Sequence, residues 1–150
     1  MTSTRYDVVG LGNAIVDVLS SADDAFLESW GIQKDAMTLI EEPRAEELTT
    51  EAKNPIITSG GSGANTIAGV SSFGGTAAYI GKTANDELGR QFREEMTRTG
   101  VPFATHPLEN GPATARCIIF VTEDGARSMN TFLGASVLFS KEDVDEEVVR

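Results

Sequence analysis

At 150 residues the chain is about the size of one ordinary domain, and 40% hydrophobic with 23% charged residues is the composition of a folded globular protein, which argues against a disordered chain. A formal net charge of -11 argues against nonspecific nucleic-acid binding, which leans on Lys and Arg, but leaves room for a local anion site made of backbone N–H groups. The single cysteine, Cys117, excludes an internal disulfide, and no apolar run approaches the ~20 residues of a membrane span.

Met1 to Arg5 lead directly into a strand-like run without a signal-peptide pattern, so the expected location is the cytoplasm. Tyr6 to Gly12 reads as a short strand ending in a glycine turn. Asp23 to Trp30 reads as a helix closed by Gly31, and Ala36 to Ile40 as a strand. Pro43 suits a helix's first turn, Arg44 to Ala52 continue it, and Asn54-Pro55 breaks it. Ile56-Ile57-Thr58 leads into Ser59-Gly60-Gly61-Ser62-Gly63, after which Ala64 to Ser72 forms a helix. Thr76 to Ile80 reads as a buried strand. Asn85 is the expected N-cap of a helix whose Leu88, Phe92 and Met96 make one apolar face, ended by Gly100. Ala113 to Val121 and Ala126 to Phe132 read as paired strands across an Asp124-Gly125 hairpin. Ser140 and Asp143 resemble a capping box for a last helix running to Arg150. Alternating strands and helices with one hairpin-rich insertion imply an α/β fold carrying a small extra β-sheet.

Two glycine runs imitate nucleotide motifs and fail. Gly10-Leu11-Gly12-Asn13-Ala14-Ile15 lacks the third glycine of the dinucleotide fingerprint and the acidic residue about 20 positions on. Gly75 to Thr83 has one residue too many for a P-loop, and its middle is strand-like where converging N–H groups are needed. Cys117 sits in an apolar run and reads as a buried structural thiol. His106 reads as structural, because one His and one distant Cys make no metal site.

The run Ser59 to Asn65 is more informative. It joins a strand to a helix, so glycines allow close approach of a ligand and the helix start offers unpaired N–H donors. The set Gly60-Gly61-Ser62-Gly63-Ala64-Asn65, then Phe73-Gly74-Gly75, then Gly81 and Asp86-Glu87-Leu88-Gly89, resembles the first signature of PfkB (ribokinase-type) carbohydrate kinases. Gly10 to Asp17 resembles that family's first strand and turn. The four-residue step from Asn13 to Asp17 is similar to the adenosine-kinase branch. Met37-Thr38-Leu39 resembles a lid strand, and Arg127 to Ala135 the strand that leaves the lid.

The resemblance implies the N-terminal part of a ribokinase-like α/β domain: a Rossmann-like, mostly parallel sheet flanked by helices, with a β-sheet lid from about residues 13–40 and 101–131. It implies ATP-dependent phosphorylation of a nucleoside or sugar hydroxyl, adenosine to AMP first, with ribose or fructose kinases and a noncatalytic ligand-binding or dimerising fragment as alternatives. In this reading Asp17 accepts from two adjacent hydroxyls, Asn13 orients it or touches substrate, and Gly61, Ser62 and Asn65 hold the sugar. Arg127 reaches the transferred phosphoryl group, and Met129, Thr131 and Leu133 flank base or sugar. The family's second signature, Asp-Thr-x-Gly-Ala-Gly-Asp, which carries the catalytic base, does not occur within residues 1–150. The cofactors implied are ATP and Mg2+, held mainly by residues beyond this chain, with a monovalent cation as a further candidate. The expected partners are a small nucleoside or sugar and ATP, with no nucleic acid or membrane, in a monomer or lid-mediated homodimer.

Overall fold

The computed structural model describes residues 5–149. β1 (Val8–Leu11) and β5 (Ala77–Ile80) pair in parallel. A second, mixed sheet of five strands runs in the order β3 (Met37–Leu39), β7 (Arg127–Phe132), β6 (Ala115–Val121), β2 (Ile15–Ser21), β4 (Ile56–Gly60). The helices are α1 (Asp24–Ser29), α2 (Glu42–Glu51), α3 (Ser62–Ser72), α4 (Glu87–Arg98) and α5 (Glu146–Val149). Short 3-10 turns cover Gly134–Leu138 and Lys141–Asp143.

Two apolar cores hold these parts together. In the first, Tyr79 of β5 meets Phe92 of α4 and Phe103, with ring centroids 5.2 to 6.3 Å apart. Ile67 of α3, Met96 of α4 and Val16 of β2 join them, so this core ties the small sheet to one end of the large one. In the second, Ile118, Phe120 and Phe132 of the large sheet pack on Leu27 of α1 and Ala45 and Leu48 of α2. Both cores leave the opposite face of the large sheet free of these helices, and that face carries Asp17.

Several elements differ from expectation. β2 is an additional strand; Val16, Val18 and Ser20 are buried while Ile15, Asp17 and Leu19 are half-buried, the two-residue period of a strand. The strand before the glycine run extends to Gly60, so α3 begins at Ser62, two residues early, with Gly61 as its N-cap. The N-cap of α4 is Asp86, not Asn85: its carboxylate accepts the Gly89 N–H at 2.8 Å and also binds the Thr114 N–H and hydroxyl at 2.8 and 2.6 Å. Asn85 instead donates to Glu109. The capping box of Ser140 and Asp143 starts a 3-10 turn, and α5 follows separately. Arg150, where the last helix was expected to run, lies outside the described residues. The Asp124-Gly125 hairpin is present, with the Asp124 carboxylate accepting from the Thr122 hydroxyl at 2.6 Å.

The two failed nucleotide motifs are packing features. A β-carbon on Gly10 would lie 3.2 Å from the Tyr79 ring, and one on Gly12 would lie 2.7 Å from the Tyr79 hydroxyl. The Gly75 to Thr83 run contains β5, whose four residues are all buried.

Candidate substrate site

Strand register aligns the site. Thr58, Asp17, Cys117, Thr131 and Leu39 form one row across all five strands of the large sheet. Two residues along, Ile56, Leu19, Ile119, Met129 and Met37 form a second, wholly apolar row on the same face. A carboxylate thus stands in a polar row beside a hydrophobic floor, which suits a ligand with hydroxyls at one end and an apolar or aromatic ring at the other.

Asp17 is held by what lies beneath it. A β-carbon built on Gly60 would overlap the Asp17 carboxyl group, with Oδ1 only 2.5 Å away. Glycine therefore lets the carboxylate fold over the β4 backbone. Burial pushes the Asp17 carboxyl above its ordinary value of 3.8. Beside it, the Thr131 hydroxyl donates to Cys117 Sγ at 3.2 Å. Burial is the first cause that pushes the Cys117 thiol up; the Thr131 bond opposes it and the Asp17 charge adds to it.

The glycine loop continues from β4. Gly61 has φ +84°, and a β-carbon there would lie 3.1 Å from the Asn13 carbonyl oxygen, which also accepts from the Tyr79 hydroxyl at 3.1 Å. Asn13 thus contributes its backbone to the loop's seat while its side chain is exposed. The first-turn N–H groups of α3 have no intrahelical partner, as in any helix, and no N-cap side chain takes their place. Ser62 and Asn65 are exposed on that turn, and the Asn65 N–H returns to the Gly61 carbonyl at 3.0 Å.

Leu133 lies just past β7 and, with Leu39, Ile40, Thr131 and Val137, lines an apolar pocket of about 320 Å3. Asp17, the Gly60 to Asn65 loop, Met129, Thr131 and Leu133 therefore share one face and one end of the sheet. Arg127 lies one row beyond Met129. It lies on the same face but opposite Val121, four residues from Thr131, about 13 Å along the strand, away from the glycine loop. Sequence reasoning missed Gly60 as the seat of Asp17; it read Cys117 as a buried thiol, and Cys117 is buried. No local cue gives Gly60 that role, because it follows from the pairing of β2 with β4. Among the described residues no group of three or more His, Cys, Asp or Glu is arranged to hold a metal ion, and none of the described helices is long and apolar enough to cross a membrane.

Residues 24–149 match the family model described as pfkB family carbohydrate kinase. The chain belongs to the pfkB family. Within that family it is 27% identical over 143 residues to adenosine kinase 2 of Arabidopsis thaliana, covering 90% of this chain and 41% of that protein. It superposes on the crystal structure of adenosine kinase from Sinorhizobium meliloti with a TM-score of 0.89 and 54% identity, over 97% of this chain and 44% of the other. A probable sugar kinase protein from Rhizobium etli gives the same TM-score of 0.89 with 50% identity, over 97% of this chain and 44% of the other. The fold is ribokinase-like, and the chain spans less than half the length of these pfkB-family relatives.

Proposed function

We propose that the protein transfers the γ-phosphoryl group of ATP to a hydroxyl of a nucleoside, adenosine first, and that residues 1–150 supply the acceptor side of the site. The observation that carries this reading is the Asp17 carboxylate seated over Gly60 beside an apolar row. A carboxylate accepts from two neighbouring hydroxyls with charge-strengthened bonds, as a ribose diol would present them. The open N–H groups at the start of α3 and the Asn65 side chain would complete the hold on the sugar. Met129, Ile119 and the pocket beside Leu133 would take the base.

In this proposal the five-stranded sheet acts as the lid and excludes water, which competes as acceptor. Positioning and electrostatics supply most of the rate in such transfers. Mg2+ and ATP would be held mainly by residues beyond position 150, with a base from the second signature taking the hydroxyl proton. Arg127 stands two rows from Asp17 and is left out of the acceptor set. The cytoplasm is the proposed location.

A second reading, a sugar such as ribose or fructose as acceptor, is favoured by the likeness to a probable sugar kinase at the same TM-score of 0.89. Steady-state assay of the full-length protein on adenosine, ribose and fructose separates the two; a higher kcat/KM on either sugar overturns the nucleoside assignment. Residues 1–150 alone are expected to give no turnover, and measured phosphorylation of adenosine by this piece would refute the division of labour.

A further inference from the structure

β4 is the outer strand of the large sheet, so one side of it presents N–H and C=O groups that no strand in the described sheet pairs. Two side chains of α4 meet them. Gln91 Nε2 donates to the Ile57 carbonyl at 3.1 Å, and Glu95 Oε2 accepts from the Ser59 N–H and, at 3.1 Å, from the Thr58 hydroxyl. Gln91 and Glu95 stand one helical turn apart, about 6 Å along the axis. Ile57 and Ser59 stand two residues apart, about 6.7 Å along a strand. The spacings match, so the helix supplies the acceptor and donor that a neighbouring strand would have supplied.

Glu95 is fully engaged: its other oxygen takes Gln91 Nε2 at 3.4 Å and Arg98 at 3.5 Å, and its side chain is only 14% exposed. Burial pulls the Glu95 carboxyl up, but the bonds from Ser59, Thr58 and Gln91 outweigh this and hold it below its ordinary value. The residue after Ser59 is Gly60, on which Asp17 rests, and the next is the N-cap of α3. Meanwhile α4 is anchored independently by Phe92 and Met96, both buried, and by the Asp86 cap. Loss of Glu95 would therefore release the β4 edge without releasing the helix.

We propose that Glu95 is a positioning residue: with Gln91 it clamps the outer edge of β4 and so fixes the Gly60 to Asn65 loop against Asp17 for acceptor binding. The inference rests on the acceptor-site reading above. The test uses the full-length protein with Glu95→Ala and Glu95→Gln, adenosine as acceptor, and hydrogen exchange followed by mass spectrometry.

Glu95→Ala should speed exchange across residues 57–65 at least tenfold and leave residues 115–132 unchanged. It should raise the KM for adenosine at least fivefold, with the KM for ATP and kcat within about twofold. Glu95→Gln, whose amide oxygen still accepts the Ser59 N–H, should recover most of both effects. Unchanged exchange over 57–65, acceleration across the whole chain, or a Gln variant no better than Ala would each overturn the proposal. The exchange readout tests the clamp without substrate. Asp17→Asn, assayed alongside, tests the acceptor site itself, so failure of one idea is distinguishable from failure of the other.

Discussion

The carboxylate of Asp17 lies over the backbone of Gly60, in the space a side chain at that position would fill. Gly60→Ala must displace either the carboxylate or the β4 backbone. Overpacking of this kind costs about 1–3 kcal/mol. The expected result is a KM for adenosine raised tenfold or more, with the KM for ATP little changed. Gly69→Ala is the matched control. It lies in α3 with open space around it, so alanine there should stabilise by roughly 0.5–1 kcal/mol and leave kinetics alone. Thermal unfolding and steady-state kinetics on both variants decide the matter.

Asp17 should trade stability for binding. Its carboxyl stands above the ordinary value of 3.8 through burial, so the folded protein binds this proton more readily than the unfolded chain does. The charge therefore opposes folding at pH values above both pKa values, and that penalty fades as pH falls through the raised folded value. Asp17→Asn removes it, and a higher melting temperature at neutral pH is the expected outcome. Acceptor binding should move the other way. Bonds to a charged acceptor are worth about 1.5–3 kcal/mol, so Asn should raise the KM for adenosine by about tenfold to a hundredfold. In the unsubstituted protein that KM should climb on acidification, starting above the ordinary aspartate range, and the Asn variant should lose this component of the pH profile. A pH profile unaltered by the substitution would contradict the assignment.

Tyr79 supports the loop from below. Its hydroxyl donates to the Asn13 carbonyl at 3.1 Å, and burial pushes its pKa up to about 12. It remains a neutral donor throughout the working pH range. Tyr79→Phe keeps the ring against Phe92 and Phe103 and leaves the Asn13 carbonyl without this donor. A loss of about 1 kcal/mol in urea unfolding is expected, along with a small rise in the KM for adenosine. A loss above about 3 kcal/mol would mean that the ring packing, not the hydroxyl, had been disturbed.

The glycine signature and the paired strands of the hairpin were legible because their cues are local: Gly-Gly before a helix, Asp-Gly between two apolar runs. β2 was not, because Ile15 and Leu19 on one face and Val16 and Val18 on the other make a near-continuous apolar run around Asp17. Alternation is blurred where both faces of a strand are partly covered. Register was equally hidden. Asp17 and Cys117 lie opposite one another although 100 positions apart, and nothing local to either residue encodes that pairing. Arg127 shows the converse limit: parity along β7 puts it on the face of Asp17, but only the register shows it two rows away from that residue.

The choice between Asn85 and Asp86 as helix cap shows how a distant partner decides between equivalent local cues, and it yields a stability prediction. Both residue types cap helices well. Asp86 prevails because its two oxygens also meet the backbone N–H and hydroxyl of Thr114, at 2.8 and 2.6 Å, just before β6. The Thr114 hydroxyl in turn accepts the Ala84 N–H at 2.9 Å, and Thr114 is fully buried. Gly89 keeps this junction open, since a β-carbon there would lie 2.9 Å from the Thr114 hydroxyl. One carboxylate thus starts α4 and ties it to the large sheet. Asp86→Ala removes a cap worth about 1 kcal/mol and leaves buried groups of Thr114 without a partner, at about 1–3 kcal/mol more. A total loss of roughly 2–4 kcal/mol is expected in urea unfolding. Asp86→Asn, whose single amide oxygen can still accept at the cap, turns its NH2 group toward the Thr114 N–H, donor against donor, and should keep the cap but still lose about 1–3 kcal/mol. Asn85→Ala should change stability by less than about 0.5 kcal/mol, since its bond to Glu109 is exposed. If Asn85→Ala proved the more damaging of the two alanine variants, the cap would have to be reassigned to the residue the local pattern first indicated.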